Sequence, residues 1–217
     1  MLQIFGRLQT AANIIDTVTV AYTVNAGVEV TAKVDPALTF TVVGVAGSET
    51  ANGQTTSADS DFNELPFGFL SVNTPRYLAQ DIYTKTNANN GYTVTAKMVE
   101  QMNSAFGNDI DPFVGDKDHP ITWGAPAAWA TPNGEVANEN TGWIGMNTNN
   151  GSHIAGWATT TGLWGPLQTT QANAVRTSLS PATGVTATRI TFALAVNVYQ
   201  PADAYTGTLE YNCVPIY

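Results

Sequence analysis

The sequence predicts an all-β fold: an antiparallel β-sandwich of jelly-roll type, with a loop-rich insertion that carries the tryptophans. Three observations support this. From Val18 to Val42 every even position is apolar, counting Ala and Pro, while the odd positions are mostly Thr, Asn, Glu, Lys and Asp. A period of two puts alternate side chains on opposite faces of an extended chain and does not fit a helix. The alternation returns near the C-terminus, first with Ile190, Phe192, Leu194, Val196 and Val198, then with Tyr205, Gly207, Leu209, Tyr211 and Cys213. Composition agrees: 31 Thr, 19 Asn and 19 Gly favour strands joined by turns, because branched Thr suits a pleated surface and Asn and Gly adopt turn conformations.

The elements follow in chain order. One strand over residues 18–42 would run roughly 80 Å, beyond the usual three to ten residues, so the segment must be interrupted. Asn25-Ala26-Gly27 and Asp35-Pro36 are the breaks, and since parity is kept across the first, it is a three-residue hairpin loop or a bend in an extended segment. Gly44 to Leu65 is polar, small and acidic, and reads as a long exposed loop with a turn at Asn52-Gly53. Strands are expected over Tyr77 to Thr86 and Tyr92 to Met98, joined through Asn87 to Gly91 as a β-hairpin. In the second of these, Tyr92, Val94, Ala96 and Met98 share one face. Between residues 101 and 181 the periodicity fades, all five Trp occur, and an irregular insertion or subdomain is expected. Strands over Thr188 to Gln200 and Tyr205 to Tyr217, joined by Pro201-Ala202-Asp203, read as a closing hairpin. The whole chain, residues 1–217, is taken as one sandwich domain, with residues 1–24 as an N-terminal extension.

Charged residues make up 12% of the chain, against about 25% in typical domains, and the net charge is −9. Phosphate binding needs clustered Lys and Arg, so nucleic acid is not an expected partner. No window approaches the 18 consecutive apolar residues of a membrane span. The lone Cys213 excludes an intrachain disulfide. Its parity with Leu209 and Tyr211 predicts a small buried side chain, with an intermolecular disulfide as the alternative. Met1 to Ala12 lacks the charged and apolar regions of a signal peptide. Low Lys content with abundant Thr, Asn and Gly nevertheless points to a bacterial surface, so an extracellular location is expected.

Catalytic chemistry has little support. The histidines are His119 and His153; Ser152 and His153 are adjacent and point apart on extended backbone, and no nucleophile elbow, zinc or nucleotide motif occurs. A noncatalytic protein without an organic cofactor is expected. Asp109, Asp111, Asp116 and Asp118 in one run could supply oxygens to calcium, although the spacing is not that of an EF-hand, and a solvated loop is the alternative. Asp59, Asp61 and Glu64 form a weaker group of the same kind. Trp123, Trp129, Trp143, Trp157 and Trp164 could present a stacking platform for sugar rings or could fill a core or subunit interface. Lys33 with Asn197 or Asn212 raises an isopeptide cross-link of the kind found in some Gram-positive pilin domains.

Four segments together, Leu38-Thr-Phe-Thr-Val42, Phe67-Gly-Phe-Leu70, Thr86-Asn-Ala-Asn-Asn-Gly-Tyr-Thr-Val-Thr95 and Ala204-Tyr-Thr-Gly-Thr-Leu-Glu-Tyr211, resemble secreted surface β-sandwich proteins of bacteria and archaea. Camelysin/TasA-type biofilm fibre subunits and donor-strand pilins are the named group. The resemblance implies a jelly-roll-like subunit that assembles outside the cell by strand exchange, with copies of itself as partners. The residues give a separate reason: a sandwich has open edges, and an apolar-alternating segment at a chain terminus can complete a neighbour's sheet. Ile14, Ile15, Val18, Val20, Tyr22 and Val24 are the expected donor residues. The competing expectations are that this strand pairs within its own subunit, that the Trp-rich part makes the protein a carbohydrate-binding surface adhesin, and that it is a viral coat or appendage protein.

Overall fold

The computed structural model describes residues 27–150 and 162–217 and divides the chain into two compact units, Met1–Asp35 and Pro36–Tyr217. In the first unit, the described residues 27–35 belong to no strand, and Val28, Val30 and Val34 are 80–88% exposed. The alternating pattern therefore does not make a strand of residues 27–37; ladder pairing begins at Leu38. A period of two marks a chain able to enter a sheet, but only a partner edge makes it a strand.

The second unit has thirteen strands and, among the described residues, no helix. They are β1 (Leu38–Gly44), β2 (Thr50–Ala51), β3 (Gln54–Thr55), β4 (Arg76–Thr86), β5 (Tyr92–Ser104), β6 (Asp109–Pro112), β7 (Ala127–Ala128), β8 (Gly142–Thr148), β9 (Leu163–Pro166), β10 (Asn173–Ser178), β11 (Ala182–Thr183), β12 (Thr188–Val196) and β13 (Tyr205–Pro215). One layer runs β1-β4-β12-β8, with β9 beside β8. The other is β13-β5-β10. Short β6 joins them, pairing antiparallel with β5 and parallel with β8, so the large sheet is mixed and curls back over itself.

The core lies between the layers. Leu78 and Ile82 of β4, Ile190, Phe192 and Leu194 of β12, and Ile144 and Met146 of β8 meet Tyr92, Val94, Ala96 and Met98 of β5 and Val175 of β10, all buried. The β5 face is the one its alternation predicts. At roughly 1.5–3 kcal/mol per fully buried large apolar side chain, this layer dominates stability.

Both expected hairpins are instead crossings between the layers. β4 pairs with β1, β12 and β11, β5 pairs with β10, β13 and β6, and no ladder joins β4 to β5. Likewise β12 pairs with β4 and β8, while β13 pairs with β5. A five-residue loop spans the about 10 Å between sheets as readily as it turns within one. Here both strands of each pair direct their apolar face to the same core from opposite sides.

The loop over Gly44 to Leu65 is largely exposed, as expected, and carries a short hairpin. Asn52 and Gly53, at φ 52° and 82°, make the two-residue turn of the β2–β3 hairpin, as the Asn-Gly signal predicts. That hairpin docks on the outer face of the first layer: Ala51 and Val45 are buried with Ala79, and Asn52 Nδ2 donates to Thr191 Oγ1 at 2.7 Å. Arg189 adds a two-pronged bond to Asp81, with Nε and Nη2 each 2.8 Å from a carboxylate oxygen, and its Nη1 donates to the Thr50 carbonyl.

The Trp-bearing stretch is loop-rich, yet it is woven into the sheet. β8 sits between β12 and β6 and is buried along its whole length. Its outward side chains meet a second cluster of Phe113, Trp143, Trp164 and Ala193, against which Tyr77, Ile121 and Trp129 pack.

A candidate assembly seam

The two terminal edges of the curled sheet come together on one side of the sandwich. Among the described residues β1 pairs only with β4 and β13 only with β5, so both present an unpaired edge there. They approach without joining: the Phe40 and Tyr211 rings are 6.3 Å apart, centroid to centroid. Phe40, Val42, Leu209, Tyr211 and Cys213 contact the core but remain only partly buried. Along the seam, between β13 and residues 62–67, lies a cavity of about 520 Å³ floored by Met98, Met102, Ile144 and Leu167.

Local sequence explains the opening. Gly44 ends β1 where a Cβ would fall on the Ser60 carbonyl, and from there the chain leaves the strand path. Ser60 hydroxyl bonds to Ala79 carbonyl, and Asp61 N–H donates to Glu64 carbonyl at 3.0 Å, forming a turn in place of a ladder. Across the seam floor, Tyr211 hydroxyl donates to Gln80 Oε1 at 3.1 Å while Gln80 Nε2 donates to Asp61 carbonyl at 2.6 Å. Burial pushes the Tyr211 phenol well above its usual range, so it stays a neutral donor. The seam cavity is thus lined by apolar side chains, the Tyr211–Gln80 pair and the polar Asn63, Glu64, Thr206 and Thr208, flanked by strand edges that have no ladder partner among the described residues.

The expected donor residues Ile14, Ile15, Val18, Val20, Tyr22 and Val24 lie outside the described residues, as do Trp157, Ser152 and His153. The other tryptophans are packed. Trp143 and Trp164 are 0% and 1% exposed, and Trp123 is buried in the main core with its indole donating to Ala174 carbonyl at 3.0 Å. Trp129, half-buried, stacks on Phe113 at 4.6 Å, and Trp143 meets Phe113 edge-on. Among the described tryptophans, Trp129, Trp143 and Trp164 contact other aromatic rings, and Trp129 is the one that keeps partial exposure.

Among the described residues no three His, Cys, Asp or Glu side chains come together as metal ligands. Asp109 and Asp111 lie on β6, while Asp116 and Asp118 lie in the turn beyond it. Asp111 accepts the Asn140 N–H at 2.7 Å, Asp118 pairs with Lys117 at 2.9 Å, and Asp116 accepts from the Asp118 N–H and from Asn133. Burial raises the Asp111 pKa, with the Asp109 and Glu139 charges adding to it; hydrogen bonds from Asp118 N–H and Asn133 lower that of exposed Asp116. Asp109 has a buried Oδ1 with no hydrogen-bond partner, while Asp111 and Asp116 act as a cap and a turn lock. Asp59 does the same work, accepting the Gly47 N–H at 2.7 Å, and Asp61 accepts that of Phe62.

Asn197 does not point to a lysine: its amide donates to the Pro132 and Gly134 carbonyls at 3.1 and 2.7 Å, clamping that loop. Asn212 is exposed on β13, and Lys33 belongs to no strand. Cys213 is half-buried, and burial raises its thiol pKa. The seam itself was not legible in the sequence, since it needs the knowledge that β1 and β13 end opposite layers. The one signal was that both strands carry large apolar residues on one parity and Thr, Asn or Glu on the other. No protein-family model, curated protein or solved structure matches the chain.

Proposed function

We propose that this protein is a noncatalytic structural subunit of an extracellular filament or surface layer that assembles by β-strand complementation, in the manner of the camelysin/TasA-type and donor-strand proteins its sequence resembles. The seam carries this reading: two unpaired edges, partly exposed core residues and an apolar cavity along one side of a sandwich are the requirements of an acceptor. Residues 14–24 of a neighbouring copy supply the strand. β13 has 11 residues, the same length as that segment. An inserted strand gains about 0.5–1.5 kcal/mol per backbone hydrogen bond and buries Val18, Val20, Tyr22 and Val24 against Phe40, Leu209 and the cavity floor. Donor and acceptor are different parts of the chain, so the contact is heterologous and propagates as an open polymer.

The test compares the full chain with its Val20→Asp/Tyr22→Asp variant by sedimentation and negative-stain microscopy. Filaments from the parent and folded monomers from the variant support the reading. A parent that stays monomeric at all concentrations, or a variant that polymerises like the parent, overturns it.

A further inference from the structure

Exposed hydrophobic side chains are distributed unevenly over the second unit. Fifteen large ones are at least 40% exposed among its described residues, and only Val43, Phe62 and Val99 lie on its flanks. The remaining twelve divide equally between the two ends of the sandwich. One end is where β4 and β13 begin and β5 and β12 finish, as the pairs Leu194↔Arg76, Val196↔Gly142 and Tyr205↔Ser104 show. It carries Phe69 at 99%, Phe106 at 85%, Val198, Val136, Tyr199 and Val72. The bond from Asn73 N–H to Val196 carbonyl, 2.7 Å, ties the Phe69–Val72 loop to this end. The opposite end, marked by Leu38↔Thr86, Ser178↔Tyr92 and Pro215↔Tyr92, carries Val185 at 80%, Leu179 at 75%, Tyr217, Val214, Ile216 and Leu38.

Charge divides along the same axis. The first end holds Glu135, Glu139 and Asp203 around it, with the half-buried Asp109 and Asp111, against Arg76, whose guanidinium is engaged by the Phe69 and Ser57 carbonyls, and Lys117, which is paired with Asp118. Around the second end stand Lys85 and Arg176, and the segments 83–93, 174–188 and 211–217 contain no Asp or Glu.

We infer that these two ends form a second self-association surface, on which the acidic apolar end of one copy meets the basic apolar end of the next. Soluble proteins seldom expose several large apolar side chains together unless something covers them. Six such side chains present on the order of 700 Å², close to the about 800 Å² per partner of a stable interface. Contact between like ends would set Glu135, Glu139 and Asp203 of one copy against the same groups of another, whereas unlike ends attract, so complementarity selects the head-to-tail arrangement. That contact is heterologous and propagates along the sandwich axis. It uses surfaces other than the seam and holds whether or not a strand crosses between copies.

Phe69→Asp/Phe106→Asp spoils the first end and Leu179→Asp/Val185→Asp the second, at side chains exposed enough that the fold does not depend on them. Milder serine substitutions at the same sites serve if either variant melts below the parent. The expected result is parental thermal unfolding, a critical concentration for assembly raised at least tenfold in each variant, and a dimer in the equimolar mixture at concentrations where each alone is monomeric. An unchanged critical concentration in folded variants, a mixture that gives no dimer, or a parent that never self-associates overturns the inference. The Val20→Asp/Tyr22→Asp variant separates the two contacts. If it assembles normally while the end variants do not, strand complementation fails and the ends stand; the reverse pattern removes the ends and leaves the seam.

Discussion

Replacing Trp143 by Ala removes a fully buried indole from the start of β8, on the face away from the main core. Three interactions are lost with it: the edge contact with Phe113 at 5.5 Å, the packing on Trp164 and Ala193, and the bond from the indole N–H to Asn140 Oδ1 at 3.0 Å. Large-to-small changes at such sites cost about 3–5 kcal/mol, cavity included. For a unit of this size that lowers Tm by roughly 6–20 °C. Trp143→Phe keeps most of the volume but strands the side-chain Oδ1 of Asn140, which costs about 1–3 kcal/mol. Trp129 supplies the internal control, because its indole nitrogen is buried without a hydrogen-bond partner while its ring stacks on Phe113. Trp129→Phe keeps the stack and deletes the unpaired donor, so it is expected to be neutral or to stabilise by up to about 1 kcal/mol. Urea unfolding followed by circular dichroism reads all three. The assignment of these rings to a structural layer is wrong if Trp143→Ala costs under about 1 kcal/mol, or if Trp129→Phe costs as much as Trp143→Phe.

Other expectations concern backbone, pH and thiol. Gly91 sits at φ 81° in the loop between the layers, where a Cβ would fall on the Ser178 carbonyl, so Gly91→Ala is expected to cost about 2–5 kcal/mol by the same unfolding measurement. Burial raises the Asp111 pKa above the ordinary value of about 4, so the folded state holds that proton more tightly than the unfolded chain, and stability from this group falls as pH rises through the window above 4. Asp111→Asn, whose carbonyl oxygen can still accept the Asn140 N–H, is expected to gain stability at pH 7 and lose that gain below about pH 4. A gain independent of pH counts against the burial argument. The half-buried Cys213, with its raised thiol pKa, is expected to react slowly with a thiol reagent at pH 7.5 and rapidly in denaturant; equal rates contradict its placement.

Strand positions were legible because period two survives in any half-buried strand. β4, β12 and β13 fall within a few residues of their expected places, β5 begins where expected but runs on from Met98 to Ser104, and its inward set is correct residue by residue. Pairing was not legible. Asn87 to Gly91 has the composition of a hairpin loop, and nothing local distinguishes a turn within one layer from a crossing to the other. The second aromatic layer was also missed, although a signal existed. Opposite Ile190, Phe192 and Leu194, the alternate positions of β12 are the small residues Thr191, Ala193 and Ala195, and β8 contributes Gly145. Small side chains on a sheet face leave room for something to pack closely, and here the β2–β3 hairpin and the Phe113–Trp143–Trp164 cluster do so. The acidic run around Asp109 to Asp118 was visible as a composition, but its division between a strand and a turn depends on β6 bridging the layers.

We propose that a neighbouring copy's strand fills the seam between β1 and β13. Cryo-electron microscopy of filaments grown from the purified full chain tests it most directly. The expected map has density for an extended segment hydrogen-bonded to the outer edge of β13, connected to the adjacent subunit and fitting residues 14–24. A seam left empty in the filament, or filled by residues of the same subunit, contradicts it.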